Sequence, residues 1–229
     1  MPTPRSSSFS GIVRASPVVM GYLPLAFAYG VMAHGAHLSL VATLALSFFV
    51  YAGSAQFIAV ILFAQGLVLL PVVLTTFIVN LRHLLMAASV APFLARWSLS
   101  KRIFFATELT DETFALHSTE FPSGEPIPSH VFAVNLTSHL SWIFGSLLGY
   151  QAGGMITDIR PLGLDYALPA MFIGLLIVQL RTRRAVFIAL IAGAASLLFR
   201  HLGFESRSTL IATVIGATLG MGLELWKKD

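Results

Sequence analysis

The chain has 229 residues, of which 56% are hydrophobic and only 10% are charged, and its mean hydropathy is +0.83. No ordinary soluble domain of this length has such a composition, so we predict an all-α integral membrane protein without a soluble catalytic domain. The net charge of +4 does not indicate nucleic acid binding, because the basic residues lie at the ends of apolar runs, where they orient helices.

Sites for cofactors, metals and covalent catalysis are not expected from the sequence. It contains no GxxxxGK phosphate-binding loop, no cysteine and no histidine spacing such as HExxH. Residues 1–16 are polar and rich in serine and proline, and they are predicted to be an N-terminal tail. The rest of the chain, residues 17–229, is predicted to be a single transmembrane domain.

About seven membrane helices are predicted, in the apolar runs 17–33, 38–64, 67–94, 130–150, 164–180, 185–199 and 208–226. The second run would be about 40 Å long as one helix, against about 30 Å of hydrocarbon, so it must tilt or break. A break is predicted within residues 51–57, where Gly53, Ser54 and Gln56 combine small size with hydrogen-bonding groups. The second half of a broken helix directs N–H groups towards an anionic group, whereas small residues also serve simple helix packing.

The third run contains a polar group of three residues, Asn80, Arg82 and His83. An arginine at the bilayer centre costs about 2.5–3.5 kcal/mol on insertion scales, so it is kept there only with a partner or a function. Arg82 suits a carboxylate group of a ligand, and the alternative is a structural anchor bonded to Asp111, Glu112 or backbone carbonyls. Asn80, like Gln56, either binds the substrate or joins helices by hydrogen bonds.

A short stretch at residues 104–115 is aromatic at both ends and acidic in the middle. It is too polar to span alone, so it is either a surface helix or a re-entrant segment that brings Asp111 or Glu112 towards Arg82. Together with His83, these two carboxylates are the candidates for binding a coupling proton. His139 and Asp165 are secondary candidates.

Two halves of the chain show a weak repeat, because residues 51–59 resemble residues 166–174. The predicted halves are residues 17–115 and 130–229, and three spans before the midpoint would make them inverted repeats with broken helices. With seven spans and a cytoplasmic C-terminus, eight basic residues lie in the cytoplasm and five lie outside. A hairpin at Gly53 would change the number of spans and move the N-terminus inside.

Four motifs in the first half carry a resemblance to a known family. They are GxxPxAFxxG from Gly21, YAGSAQF from Tyr51, VNLRH from Val79 and TDExFA from Thr110. In this order and spacing they resemble the AzlC family, the large subunit of branched-chain amino acid exporters. The resemblance implies a bacterial inner-membrane permease that exports branched-chain and similar hydrophobic amino acids with a small AzlD-type membrane partner.

The sequence therefore predicts a secondary transporter in which Gly53, Ser54, Gln56, Asn80 and Arg82 bind the substrate. A proton is the expected coupling ion, because no nucleotide-binding motif is present. The alternative is a membrane scaffold or channel subunit whose partner carries transport. An intramembrane enzyme would need a paired metal motif or a serine nucleophile beside a histidine, and the sequence has neither.

Overall fold

The structure is a computed structural model that describes residues 8–156, 161, 163, 166–180, 182–204 and 208–225. Its regular elements are helical throughout these residues. In chain order the α-helices are α1 (Ser8–Arg14), α2 (Ser16–Gly35), α3 (Leu40–Ala45), α4 (Gly53–Ala64), α5 (Leu69–Asn80), α6 (Arg82–Val90), α7 (Leu99–Thr107), α8 (Asp111–Glu120), α9 (Pro128–Gly153), α10 (Ala167–Gln179), α11 (Arg183–His201) and α12 (Ser208–Leu225). A π-helical turn, Leu46–Val50, continues α3, and short 3₁₀ turns, Ala91–Leu94 and Phe121–Ser123, follow α6 and α8.

Four helical segments in the described part of the chain are long and apolar enough to cross a membrane. They are Ser16–Gly35, Leu69–Leu94, Pro128–Gly153 and Arg183–His201. The prediction of an all-α membrane protein is confirmed, and these segments coincide to within a few residues at each end with the first, third, fourth and sixth predicted runs. The apolar segments of the second run, Leu40–Val50 and Gly53–Ala64, are shorter.

Helices α2 and α9 pack closely and run parallel. A Cβ atom added to Gly145 would lie 2.8 Å from the Ala26 Cβ, and one added to Gly149 would lie 2.0 Å from the Phe27 carbonyl oxygen. Near the C-terminal ends of both helices, a Cβ atom added to Gly153 would lie 2.7 Å from the His34 Cβ. Small residues thus let the two backbones approach over several turns. Below, "upper" means the end of α9 at Gly153 and "lower" the end at Pro128.

Residues 40–64 form a helical hairpin, which we call hairpin A. Its first arm descends along α9, from Leu38, whose carbonyl accepts a bond from the Tyr150 hydroxyl at 2.8 Å, to Tyr51, whose ring stacks on His139 at 3.9 Å. Its second arm, α4, runs back towards the upper end. Tyr51, before α4, lies beside Tyr22 of α2, whereas Phe57, within α4, lies against Tyr29, about two helical turns further up α2. The chain therefore enters from the upper end and returns to it.

Residues 99–120 form a second helical hairpin, hairpin B, which enters from the lower end. Trp97, just before α7, donates to the carbonyl of Pro126 at the foot of α9, whereas Glu108, just after α7, reaches His139. Helix α8 then descends, with His117 opposite Asn135 and Glu120 opposite His130. The re-entrant interpretation of this stretch agrees with the structure, which joins Asp111 to Arg82.

The second compact unit of the chain, residues 174–229, contains the end of α10 together with α11 and α12. Helices α11 and α12 are antiparallel neighbours, because Gly216 lies against Ala192 and Gly220 lies against Ile188. The three predicted runs 164–180, 185–199 and 208–226 correspond to α10, α11 and α12.

Two geometric findings change the predicted topology. The break predicted in the second run is present, but the run doubles back as hairpin A and does not cross as a single broken span. With one crossing fewer, α2 and α9 run parallel, so the first helices of the two predicted halves are not inverted relative to each other. The tail predicted at residues 1–16 contains helix α1, in which Gly11 packs against the His130 carbonyl.

Candidate functional site

The tips of the two hairpins meet halfway along α9 and enclose a small cavity. Tip A contributes residues 51–54 and tip B contributes residues 110–112, while Tyr22, Trp142 and Met171 complete the wall. The cavity has a volume of about 10 Å³, enough for about one water molecule. A larger ligand therefore enters only when the tips move apart.

Arg82 joins the two tips. It lies where α5 ends and α6 begins, and its guanidinium donates to the Ser54 hydroxyl of tip A and to the Asp111 carboxylate of tip B, the latter at 2.7 Å. The two side chains of the ion pair are 27% and 16% exposed. The Nε–H of the same guanidinium has no hydrogen-bond partner among the described residues. Arg82 thus has an unused donor beside the cavity.

A second carboxylate, Glu112, also lines the cavity. Its Oε2 accepts a hydrogen bond from the Tyr22 hydroxyl at 2.8 Å, and the same hydroxyl lies 2.5 Å from the Thr110 hydroxyl. Thr110 also caps the first turn of α8, because its side chain accepts from the Thr113 amide. This cap fixes both Asp111 and Glu112 at the cavity.

The start of α4 offers further donors to the cavity. Ala52 precedes the helix and has no side chain that could cap its first amides, and Tyr51 adopts a left-handed conformation with φ of 42°. Positive φ in a bulky non-glycine residue is strained, and such strain clusters at functional sites. The Tyr51 hydroxyl is buried without a hydrogen-bond partner in the described chain. A helix N-terminus with uncapped amides attracts negative charge.

The remaining wall of the cavity is apolar. A Cβ atom on Gly53 would lie 2.8 Å from the ring of Trp142 and 3.3 Å from the Met171 sulfur. Glycine at this position therefore lets the helix start approach the indole ring closely. The two large side chains form a surface suited to an aliphatic group.

Gln56 lies one turn behind the tip and is fully buried. Its carbonyl accepts from the Trp142 indole at 3.0 Å, and its amide donates to the Ser47 hydroxyl at 3.1 Å. The Ser47 hydroxyl in turn donates to Ser146 of α9. Gln56 thus joins α4, the π-helical turn and α9, which is the helix-joining alternative considered for this residue.

A buried acid and base pair, Glu108 and His139, lies close to the cavity. The His139 Nδ1 is 2.9 Å from a Glu108 carboxylate oxygen, and its Nε2 is 3.1 Å from the Ser47 carbonyl oxygen. Both side chains are less than a tenth exposed. Glu108 was not singled out by the sequence, because no local pattern indicates a partner 31 positions away.

The predicted site residues divide into three groups. Gly53, Ser54, Asp111 and Glu112 line the cavity, and Arg82 contacts two of them. Asn80 and His83 do not line it, although Asn80 Oδ1 and His83 Nε2 are both buried without partners in the described chain. Asp165 lies outside the described residues. Tyr22, Thr110 and Trp142 were missed. Tyr22 and Trp142 each carry a polar atom on an otherwise apolar span, which is the signal that could have found them. Thr110 lies in the polar stretch 104–115, where it has no such contrast with its neighbours.

Membrane-crossing helices that support two re-entrant hairpins, with charged groups at the meeting point of the tips, define a polytopic membrane protein with an internal polar site. Sequence comparison agrees with this class. The AzlC protein family matches residues 17–156, which include both hairpins. The chain belongs to the AzlC family, and its function is membrane transport.

Similar proteins occur in both bacteria and archaea. An uncharacterized membrane protein of Archaeoglobus fulgidus is 31% identical over 91% of this chain and 92% of its own length. The inner membrane protein YgaZ of Escherichia coli is 29% identical over 84% of the chain and 82% of its own. The branched-chain amino acid transport protein AzlC of Bacillus subtilis is 29% identical over 71% of this chain and 64% of its own length. No solved structure shows significant similarity.

Proposed function

We propose that this chain is a secondary transporter that exports branched-chain and similar hydrophobic amino acids across the bacterial inner membrane, coupled to protons. The observation that carries the proposal is the combination of one cation, two carboxylates, an uncapped helix start and an apolar wall around one cavity. An amino acid needs all of these, because it carries a carboxylate, an ammonium group and, here, an aliphatic side chain.

The charges of the site suit a zwitterion. In the proposed complex the substrate inserts between Arg82 and Asp111, so that its carboxylate takes Arg82 and the first amides of α4, while its ammonium group takes Asp111 and Glu112. The substrate replaces one ion pair by two, and the net charge of the site does not change. Anions or amines alone would leave one buried charge without a partner, which is costly.

The aliphatic part of the substrate is proposed to lie against Trp142 and Met171. Its burial there would contribute roughly 1.5–3 kcal/mol for a side chain of the size of valine or leucine. When Arg82 exchanges Asp111 for the substrate carboxylate, the two tips would separate. The cavity would then become large enough for the substrate. Movement of hairpin A then opens the site to the upper side, and movement of hairpin B opens it to the lower side.

The orientation in the membrane is part of the proposal. With hairpin A returning to its own side, α2, α5–α6, α9, α10, α11 and α12 make six crossings, and both termini lie on one side. In this proposed topology, sequence order assigns ten basic residues to that side and three to the other: Arg5, Arg14, Arg96, Lys101, Arg102, Arg181, Arg183, Arg184, Lys227 and Lys228 against Arg160, Arg200 and Arg207. The positive-inside rule favours a cytoplasmic position for both termini, including the C-terminus.

A small AzlD-type membrane subunit is the proposed partner, on the strength of the family resemblance. His83, Asp111 and Glu112 remain the sequence-based proposals for the coupling proton. In the proposed complex Asp111 and Glu112 hold the substrate ammonium group, so the coupling proton needs a separate site.

The test is efflux of preloaded labelled leucine, valine and methionine from cells that produce the chain with and without its small partner. Wild-type protein should accelerate efflux, and Arg82→Ala at equal abundance should abolish the acceleration. Arg96→Ala is the matched control, because Arg96 is 82% exposed and pairs only with Glu125 among the described residues. No acceleration for any of the three amino acids would reject the substrate proposal. Full activity of Arg82→Ala would favour a scaffold whose partner carries transport.

A further inference from the structure

The Glu108–His139 pair connects three separate elements of the fold. Glu108 belongs to the turn of hairpin B, His139 to α9, and the Ser47 carbonyl to the π-helical turn of hairpin A. His139 therefore holds one hairpin with each of its ring nitrogens. Of this pair, the sequence indicated His139 only as a secondary candidate for the coupling proton, and it did not indicate Glu108.

Counting hydrogens shows what this arrangement requires. A carbonyl oxygen only accepts, so the His139 Nε2 must carry a hydrogen to bond Ser47. The Nδ1 contact with Glu108 then needs a hydrogen of its own, either on the ring of a charged histidine or on the carboxyl of a neutral glutamic acid. Both cases contain one proton more than an ionised glutamate beside a neutral histidine. Without that proton, two acceptors would face each other at one of the two contacts.

We propose that the Glu108–His139 pair binds the coupling proton, and that the bound proton holds hairpins A and B together through His139. The inference rests on the proposed transport function and adds the proton site to it. Loss of the proton breaks one of the two bonds, so it releases either the Glu108 turn of hairpin B or the Ser47 turn of hairpin A. Proton binding therefore holds together the same two hairpins that must separate for the substrate to bind.

The surroundings of the pair are consistent with a proton site. Tyr51 of hairpin A stacks on the His139 ring and neighbours Tyr22 of α2, which binds Glu112 of α8, and Phe48 covers another side of the ring. Among the described ion pairs, Glu108 pairs with His139 alone, without a lysine or arginine. Within the described residues, no fixed cation therefore competes with His139 for the Glu108 carboxylate.

The experiment uses the full chain with its small partner in proteoliposomes, with the membrane potential clamped. Labelled leucine or valine is measured in two ways: exchange at equal pH, and accumulation driven by a gradient of one pH unit. A transporter that moves one proton per substrate supports about tenfold accumulation under this gradient. Glu108→Gln keeps a hydrogen-bonding side chain that cannot release a proton, whereas Glu108→Ala removes the link.

Both variants should lose the tenfold accumulation and its pH dependence. Glu108→Ala should still exchange substrate, because its hairpins are unlinked, and Glu108→Gln should exchange more slowly, because its link is permanent. Glu125→Gln is the control, since Glu125 is 59% exposed, and it should behave as wild type.

Accumulation that survives in either Glu108 variant would overturn the proposal. It would also be overturned if a folded, substrate-binding Glu108→Ala exchanged no faster than Glu108→Gln. Wild-type protein that exchanges substrate but ignores the pH gradient would reject proton coupling and leave transport standing. Wild-type protein that exchanges no amino acid would instead reject the proposed function.

Discussion

Breaking the ion pair between Arg82 and Asp111 should destabilise the protein by a measurable amount. Removal of one partner from a buried pair costs about 3–5 kcal/mol, but these side chains are 27% and 16% exposed, so solvent reduces the expected cost to about 1–3 kcal/mol. For a chain of this length each kcal/mol lowers the melting temperature by roughly 2–4 °C. Asp111→Asn should therefore lower Tm by roughly 2–12 °C.

The assay is thermal unfolding of purified protein, arranged as a double-mutant cycle. Asp111→Asn and Arg82→Gln each leave one charge without its partner, whereas the double variant leaves none. The double variant should therefore lose less stability than the two single losses added together, with a coupling of about 1–2 kcal/mol.

The exposed pair Arg96–Glu125 provides the matched cycle. Its N···O distance is 3.1 Å, but its side chains are 82% and 59% exposed. Such pairs contribute between about 0 and 1 kcal/mol. A coupling for Arg82 and Asp111 no larger than the one for this control pair would refute the idea that Arg82 holds the two hairpins together.

Two further predictions concern the hairpins. Because the native chain has no cysteine, Gly35→Cys and Gln65→Cys can each be labelled with a membrane-impermeant reagent. Both should react from the same side of the membrane. Reaction from opposite sides would mean that residues 40–64 cross it. Gly53→Ala should strongly reduce substrate exchange, because its Cβ would lie 2.8 Å from the Trp142 ring. Gly21→Ala is the control: its Cβ meets nothing within 4 Å, so exchange should not change. Equal exchange rates in the two variants would contradict the close approach at the cavity.

Sequence reasoning located the break at residues 51–57 because a run of that length does not fit the hydrocarbon as one straight helix. It did not establish that the chain turns back there, since hydrophobicity is the same for a segment that crosses and one that returns. The contact of Arg82 with Asp111 was foreseen as an alternative, because a buried arginine needs a carboxylate and few are available. Those arguments depend on length and charge, which a single sequence contains.

The pairing of Gln56 and of Glu108 depended on the fold. Gln56 was predicted either to bind substrate or to join helices, and the structure joins it to Trp142 and Ser47, whose positions depend on how hairpin A packs on α9. Glu108 meets His139 only because hairpin B rises to the middle of α9. Contacts of this kind depend on three-dimensional packing that local patterns do not describe.

The glycine contacts between α2 and α9 have a mechanical consequence. At Gly149 the backbone of one helix comes so close to that of the other that even a methyl group would collide with Phe27. If these two helices slid or rocked against each other, gaps would open between their small residues, and no other side chain would fill those gaps. We therefore expect these two helices to stay fixed relative to each other during a transport cycle. Spectroscopic labels on their upper ends should keep one distance, whereas labels on the hairpin arms should change theirs.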